Sequence, residues 1–218
     1  MQEGVSGLFK EENSVAQYFD NIVLENRKTY DYIAEINGVR YPLQGTDGTF
    51  SKDCLDDGTK LLLETILQAD LGSKILDLGC GTGPIGLILA ASDPKRIVTM
   101  SDVNLTALEL AKKNAERLGV EKRVEIVNSD VYHNINSTFD TIVSNPPIRA
   151  GKKVTYAIYD GAVDHLKEGG SLIIVIRRKQ GADSVQAYLE SRFGNVRMIA
   201  SHKGYRVFQA MKKGANNG

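Results

Sequence analysis

The run Lys74-Ile75-Leu76-Asp77-Leu78-Gly79-Cys80-Gly81-Thr82-Gly83-Pro84 decides the fold. Ile75, Leu76 and Leu78 put apolar side chains on both faces of a short strand, the glycines end it, and Pro84 suits the first position of a helix over Pro84–Ala91. The chain beyond repeats this unit. Ile97–Met100, Val124–Val127, Thr141–Val143 and Leu172–Ile176 read as strands, and Leu105–Leu118, Val154–Leu166 and Ala182–Phe193 as the helices between them. Val196–Ala200 and Arg206–Ala210 are separated by only Ser201-His202-Lys203-Gly204-Tyr205, too short for a crossover helix, so they are expected to be antiparallel neighbours. The pattern predicts an α/β fold with a doubly wound, mostly parallel seven-stranded sheet and an antiparallel C-terminal pair.

Upstream, Tyr30, Tyr32, Ala34 and Ile36 alternate with polar residues, Asn37-Gly38 follows, and Val39, Tyr41 and Leu43 alternate again. This predicts a hairpin with a type I′ turn, its second arm marked as an edge by Pro42. Asp57-Gly58-Thr59 precedes a helical run, Leu61–Leu67. The expected organisation is a hairpin appendage over residues 1–56, the main domain over 57–212 and a flexible tail over 213–218.

The 218 residues, 42% hydrophobic and 25% charged, are ordinary for a globular protein and leave no room for two independent enzymes. No apolar run approaches the ~18 residues of a membrane span, and the first residues lack a signal peptide's basic and apolar regions, so a cytoplasmic protein is expected. Cys54 and Cys80 make no CxxC motif, and His133, His165 and His202 have no ligand spacing, so no metal is expected. The net charge of zero hides an asymmetry. From Pro146 onward there are 13 Lys and Arg against 5 Asp and Glu, and before it 14 against 22. That polarity fits an anionic partner such as nucleic acid.

The glycine loop lies where open α/β sheets bind ligands, and its glycines let the backbone approach a nucleoside closely. Two cofactors fit at this stage. Gly81-Thr82-Gly83-Pro84-Ile85-Gly86, with Asp102 21 positions after Gly81, satisfies the dinucleotide fingerprint of an NAD-binding oxidoreductase. Against NAD, the fingerprint starts two residues beyond Gly79, and Asp77 would set a carboxylate near a pyrophosphate. The same carboxylate suits the ammonium or sulfonium of S-adenosylmethionine. Asp102 and Asp130 end the next two strands, where they can accept from ribose hydroxyls and an adenine amine and together favour an adenosyl site.

The fourth strand runs into Asn145-Pro146-Pro147-Ile148. Two prolines remove two backbone donors, so the Asn145 amide oxygen and the Pro146 carbonyl become rigid, outward acceptors. That pair suits an exocyclic amine. Its lone pair is delocalised, and accepting both of its N–H groups orients the nitrogen for in-line attack on a sulfonium methyl.

Asp77-Leu78-Gly79-Cys80-Gly81-Thr82-Gly83 with Ser144-Asn145-Pro146-Pro147-Ile148-Arg149-Ala150-Gly151-Lys152 resembles the class I, S-adenosylmethionine-dependent methyltransferases of the small-domain family. The likeness extends from Gly48-Thr49-Phe50-Ser51-Lys52 through Lys179-Gln180-Gly181-Ala182 to Gly204-Tyr205-Arg206-Val207. The best-known members methylate guanine N2 in 16S ribosomal RNA. The resemblance implies the Rossmann-like class I fold, S-adenosylmethionine as methyl donor with S-adenosylhomocysteine as product, and ribosomal RNA or the small ribosomal subunit as partner. It implies a cofactor site of Asp77, Gly79, Cys80, Gly81, Gly83, Asp102, Val103, Asp130, Val131 and Asn145, and catalysis by Asn145, Pro146, Pro147 and Ile148. Phe50 borders the site. Many amine methyltransferases carry an aromatic residue where this chain has Ile148, so stacking on a base falls to residues such as Phe50 or Tyr205. Arg149, Lys152, Lys153 and Lys179, beside Arg177 and Arg178, are the expected phosphate contacts. Adenine N6 and a protein glutamine amide are competing substrates for the same turn, and a catalytically silent ribosome-binding module is the reading outside enzymes.

Overall fold

The computed structural model describes residues 28–46, 55–147 and 151–214. A seven-stranded sheet has the order β5-β4-β3-β6-β7-β9-β8, with β3 at Lys74–Leu78, β4 at Ile97–Asp102, β5 at Val124–Asn128, β6 at Phe139–Ser144, β7 at Leu166–Arg177, β8 at Val196–His202 and β9 at Tyr205–Met211. β3 to β7 are parallel, β9 is antiparallel to β7, and β8 is antiparallel to β9. The chain steps outward from β3 through β4 to β5, then returns to β6 on the other side of β3. The crevice between β3 and β6 is therefore the topological switch point, where open sheets bind ligands. It carries Gly79 on one lip and Asn145 on the other.

Helices cover both faces: α1 (Asp57–Ile66), α2 (Pro84–Ser92) and α3 (Leu105–Leu118) on one, α4 (Lys152–His165) and α5 (Ala182–Phe193) on the other. The strand pleat sorts the apolar runs between two cores. Ile75, Val143, Ile173 and Val175 face the first, while Leu76, Leu78, Ile142, Leu172, Ile174 and Ile176 face the second. No described helix is long and apolar enough to cross a membrane.

Two boundaries differ from the sequence pattern by four residues or more. α1 begins at Asp57, before the apolar run, because Asp56 is its cap and accepts from the Gly58 and Thr59 N–H groups at 2.9 and 3.0 Å. β7 begins at Leu166, six residues early, and meets β6 through a register shift between Phe139 and Thr141. Gly170 permits it, since a Cβ there would lie 2.9 Å from the carbonyl oxygens of Asp140 and Lys167.

β1 (Thr29–Ile36) and β2 (Val39–Thr46) form the expected hairpin, with Asn37 and Gly38 both at positive φ, as a type I′ turn demands. Ala34, Ile36, Tyr41 and Leu43 pack into the same core as Leu62, Leu63 and Ile85. Asn114 of α3, 1% exposed, fastens the hairpin. Its Oδ1 accepts from Gln44 N–H at 2.7 Å, and its Nδ2 donates to the carbonyls of Gln44 at 3.0 Å and Thr82 at 3.1 Å. One buried amide thus joins the hairpin to the glycine loop.

Candidate active site

The loop after β3 is held from beneath, because the Gly79 and Cys80 N–H groups both donate to the Ser101 carbonyl at 2.8 and 2.9 Å. Its glycines divide into two kinds. Gly83 and Gly86 serve packing, since a Cβ on either would lie within 2.7 Å of the Met100 side chain. Gly79 and Gly81 have positive φ, and a Cβ there would meet only Pro147 Cδ at 3.8 Å, or nothing within 4 Å. These two keep the backbone open toward the crevice, as a cradle for a close-lying ligand.

Asp77 lies beneath the loop at 0% exposure. Its Oδ2 accepts from Gly86 N–H at 2.8 Å, and its Oδ1 has no partner among the described residues. Burial pushes this carboxyl up to about 7, against the Gly86 hydrogen bond and with help from the Asp102 charge. Cys80 is buried beside both acids, and burial followed by their charges pushes its thiol up, which leaves it inert.

At the end of β4, Asp102 accepts from Gly81 N–H through Oδ2 and from Asn104 N–H through Oδ1, both at 2.9 Å. The carboxylate keeps lone pairs for further donors. Val103 beside it is 63% exposed, an apolar surface at the mouth. Beyond β5, Asp130 is exposed, and Val131 holds φ at +50°, a costly conformation for a β-branched residue. Ser129 braces that turn, its hydroxyl donating to the Val131 carbonyl and accepting from Asn134 N–H, both at 3.0 Å. A cradle of open glycines, three acids at successive strand ends and an orphaned buried carboxylate oxygen fit an adenosyl group with a cationic tail. Among the described residues no cluster of His, Cys, Asp and Glu could hold a metal.

On the other lip, the Ser144 hydroxyl donates to the Leu78 carbonyl at 2.7 Å, locking the end of β6 to that of β3. Asn145 follows, half-buried, with Pro146 buried and Pro147 exposed. The Asn145 Nδ2 donates to Thr59 Oγ1 at 3.0 Å and approaches Asp56 Oδ1 at 3.5 Å. Neither Asn145 Oδ1 nor the Pro146 carbonyl accepts a hydrogen bond from any described residue. The sequence pattern finds Asn145 and misses Asp56 and Thr59, which lie 89 and 86 positions away.

Tyr205 at the start of β9 packs against the first turn of α1, where a Cβ on Gly58 would lie 2.8 Å from its ring. The Arg177 guanidinium stands 5.6 Å from the centre of that ring. The Arg178 N–H donates to the Gly204 carbonyl at 2.7 Å, so the β8–β9 turn borders the mouth. Lys152, Lys153, Arg178 and Lys179 are exposed, and their side chains pair with no described acid. Elsewhere in the C-terminal half Lys167, Arg192, Lys203, Arg206 and Lys212 are each paired, while Arg197 and Lys213 face no described acid. Phe50, Ile148 and Arg149 lie outside the described residues.

Residues 40–209 match the family model of the methyltransferase small domain. The chain is 41% identical to the uncharacterized protein YbxB of Bacillus subtilis over 87% of its own length and 94% of that protein's. It is 36% identical to ribosomal RNA small subunit methyltransferase C of Serratia proteamaculans, over 75% of this chain and 46% of the relative. The solved T. thermophilus 16S rRNA N2 methyltransferase, in complex with AdoMet and guanosine, superposes with a TM-score of 0.75 at 28% identity, covering 85% of this chain and 51% of the other. The chain thus spans about half the length of these ribosomal RNA methyltransferases and nearly all of YbxB. The match to a methyltransferase family over most of the chain sets the NAD reading aside. With its class I sheet, its open glycine cradle and its Asn-Pro-Pro turn, the chain belongs to the methyltransferase small-domain family.

Proposed function

We propose that the protein transfers a methyl group from S-adenosylmethionine to an exocyclic amine, guanine N2 of small-subunit ribosomal RNA. The observation that carries this reading is the Asn145 amide, anchored through its nitrogen, while Oδ1 and the Pro146 carbonyl accept from no described residue across the crevice from the glycine cradle. Asp102 would accept from the ribose hydroxyls and Asp130 from the adenine amine, with Val103 and Val131 against the adenine and Gly79 and Gly81 giving room for the chain to sulfur. When bound, the cofactor supplies a methyl group on a sulfonium. The two acceptors orient the amine nitrogen toward that methyl and favour the positive charge that grows on it. A nitrogen–carbon bond forms, the carbon–sulfur bond breaks to leave the thioether, and the amine proton leaves to solvent.

The partner reading rests on Lys152, Lys153, Arg178 and Lys179, four exposed cations that face no described acid at the carboxyl ends of β6 and β7. At this edge of the sheet they are available to the phosphates of a nucleic acid. The relatives that act on ribosomal RNA support guanine over adenine or a glutamine amide. The test incubates the protein, methyl-labelled S-adenosylmethionine and unmethylated 16S ribosomal RNA, followed by nucleoside mass spectrometry. Label is expected in N2-methylguanosine. Label in N6-methyladenosine or in protein glutamine would replace the substrate, and cofactor binding without label in any of them would make the protein a silent binder.

A further inference from the structure

We propose that Thr59 and Asp56, at the N-terminus of α1, are positioning residues that set the polarity of the Asn145 amide. The inference rests on the role given to Asn145 above and deepens it. A carboxamide can turn over at little steric cost, and only one of its two orientations presents an acceptor to an amine. Thr59 Oγ1 can donate or accept, so at 3.0 Å it holds the amide in place without choosing its direction. The Asp56 Oδ1 serves only as an acceptor, since it already takes the Gly58 and Thr59 N–H groups. Lying 3.5 Å from Asn145 Nδ2, it repels the amide oxygen and attracts the amide nitrogen. The amide therefore stands with nitrogen inward and oxygen outward.

The two positioning groups are themselves fixed. The same Asp56 oxygen accepts from the Gly58 and Thr59 N–H groups, and Thr59 is 4% exposed. One turn further, Leu62, Leu63 and Ile66 are wholly buried, which ties the start of α1 to the core. The helix cap and the catalytic amide thus share one carboxylate. Donation from Nδ2 to these acceptors also draws charge onto Oδ1, where hydrogen bonds in series strengthen one another.

The test uses the full chain and two kinds of readout. Thr59→Val keeps the shape and removes the hydroxyl, Thr59→Ser returns it, and Asp56→Asn keeps a capping oxygen but no longer forbids the flipped amide. On 16S ribosomal RNA, Thr59→Val should lose about tenfold in kcat and Asp56→Asn about threefold, with Thr59→Ser near the wild type and the affinity for S-adenosylhomocysteine unchanged. In an Asn145→Ala background, Thr59→Val should cost nothing more. Additive losses, or a Thr59→Val enzyme with wild-type kcat beside a crippled Asn145→Ala, would overturn the positioning role and leave the function standing. The second readout needs no substrate. In nitrogen-15 spectra the Asn145 side-chain NH2, assigned by its loss in Asn145→Ala, should exchange slowly in the wild type and Thr59→Ser and at the solvent rate in Thr59→Val. Fast exchange in the wild type overturns the inference even if no RNA is methylated. Should Thr59→Val fail to fold, Asp56→Asn with Thr59→Ser carries the same comparison.

Discussion

On the β3–β4–β5 side of the crevice, Asp77 and Asp102 are engaged before any ligand arrives, taking N–H groups from Gly86, Gly81 and Asn104. On the β6–β7 side Asn145 Oδ1 and the Pro146 carbonyl take no hydrogen bond from any described residue, and Lys152, Lys153, Arg178 and Lys179 face no described acid. The first side is built from backbone and a buried acid, the second from exposed polar and charged groups. A cofactor common to a whole family can be met by a preformed cradle, while the polyanionic partner proposed above would be met by exposed cations.

The largest effect expected from this contrast is on stability. Asp77 is protonated in the fold up to about pH 7, whereas in the unfolded chain it ionises near the ordinary aspartate value. The folded state thus holds the extra proton between about pH 4 and 7, and stability falls as pH rises through that window, by roughly 3 to 5 kcal/mol for a shift of this size. Denaturation at pH 4.5, 6 and 8 should show this decline in the wild type and a flatter profile in Asp77→Asn. Parallel profiles would mean that the buried side of the contrast does not carry a neutral acid.

Next comes the open side, where Asn145→Ala should lower turnover by roughly 3 kcal/mol, about 150-fold, with cofactor affinity within twofold. A larger loss in affinity than in turnover would erase the division between the lips. Asp102→Ala should do the opposite, weakening S-adenosylmethionine binding about 10- to 150-fold by calorimetry as a charged acceptor and the Gly81 tether are lost together. The smallest effect belongs to the cations. Replacing Lys152, Lys153 and Lys179 with alanine should flatten log RNA affinity against log salt by about 2, at roughly 0.7 per single-strand phosphate contact. An unchanged slope would move the glutamine amide ahead of RNA.

The legible parts of this molecule are those in which backbone geometry forces a residue type. Asn37-Gly38 announces a turn, Gly79, Gly81 and Gly83 announce positive φ, and apolar runs without alternation announce strands covered on both faces. Contacts between side chains far apart in sequence leave no such mark. Asn114 reads as one more polar residue on a helix, and Thr59 as part of a turn, because Gln44 and Asn145 are 70 and 86 positions away. The start of α1 was obscured by Asp56-Asp57-Gly58-Thr59, which offers several possible caps and a turn-like glycine. The early β7 is hidden because Lys167-Glu168-Gly169-Gly170 has the composition of a loop.

The Asn114 amide has a thermodynamic consequence. Thr82, whose carbonyl it holds, lies between Gly81 and Gly83, so seating a ligand on the loop and docking the hairpin draw on the same buried group. By reciprocity, any rigidity the ligand lends to the loop returns as stability of the β ribbon. Hydrogen exchange across the ladder of Thr29–Ile36 and Val39–Thr46 should slow when S-adenosylhomocysteine binds, and Asn114→Ala should abolish that slowing. The hairpin then behaves as a remote gauge of cofactor occupancy.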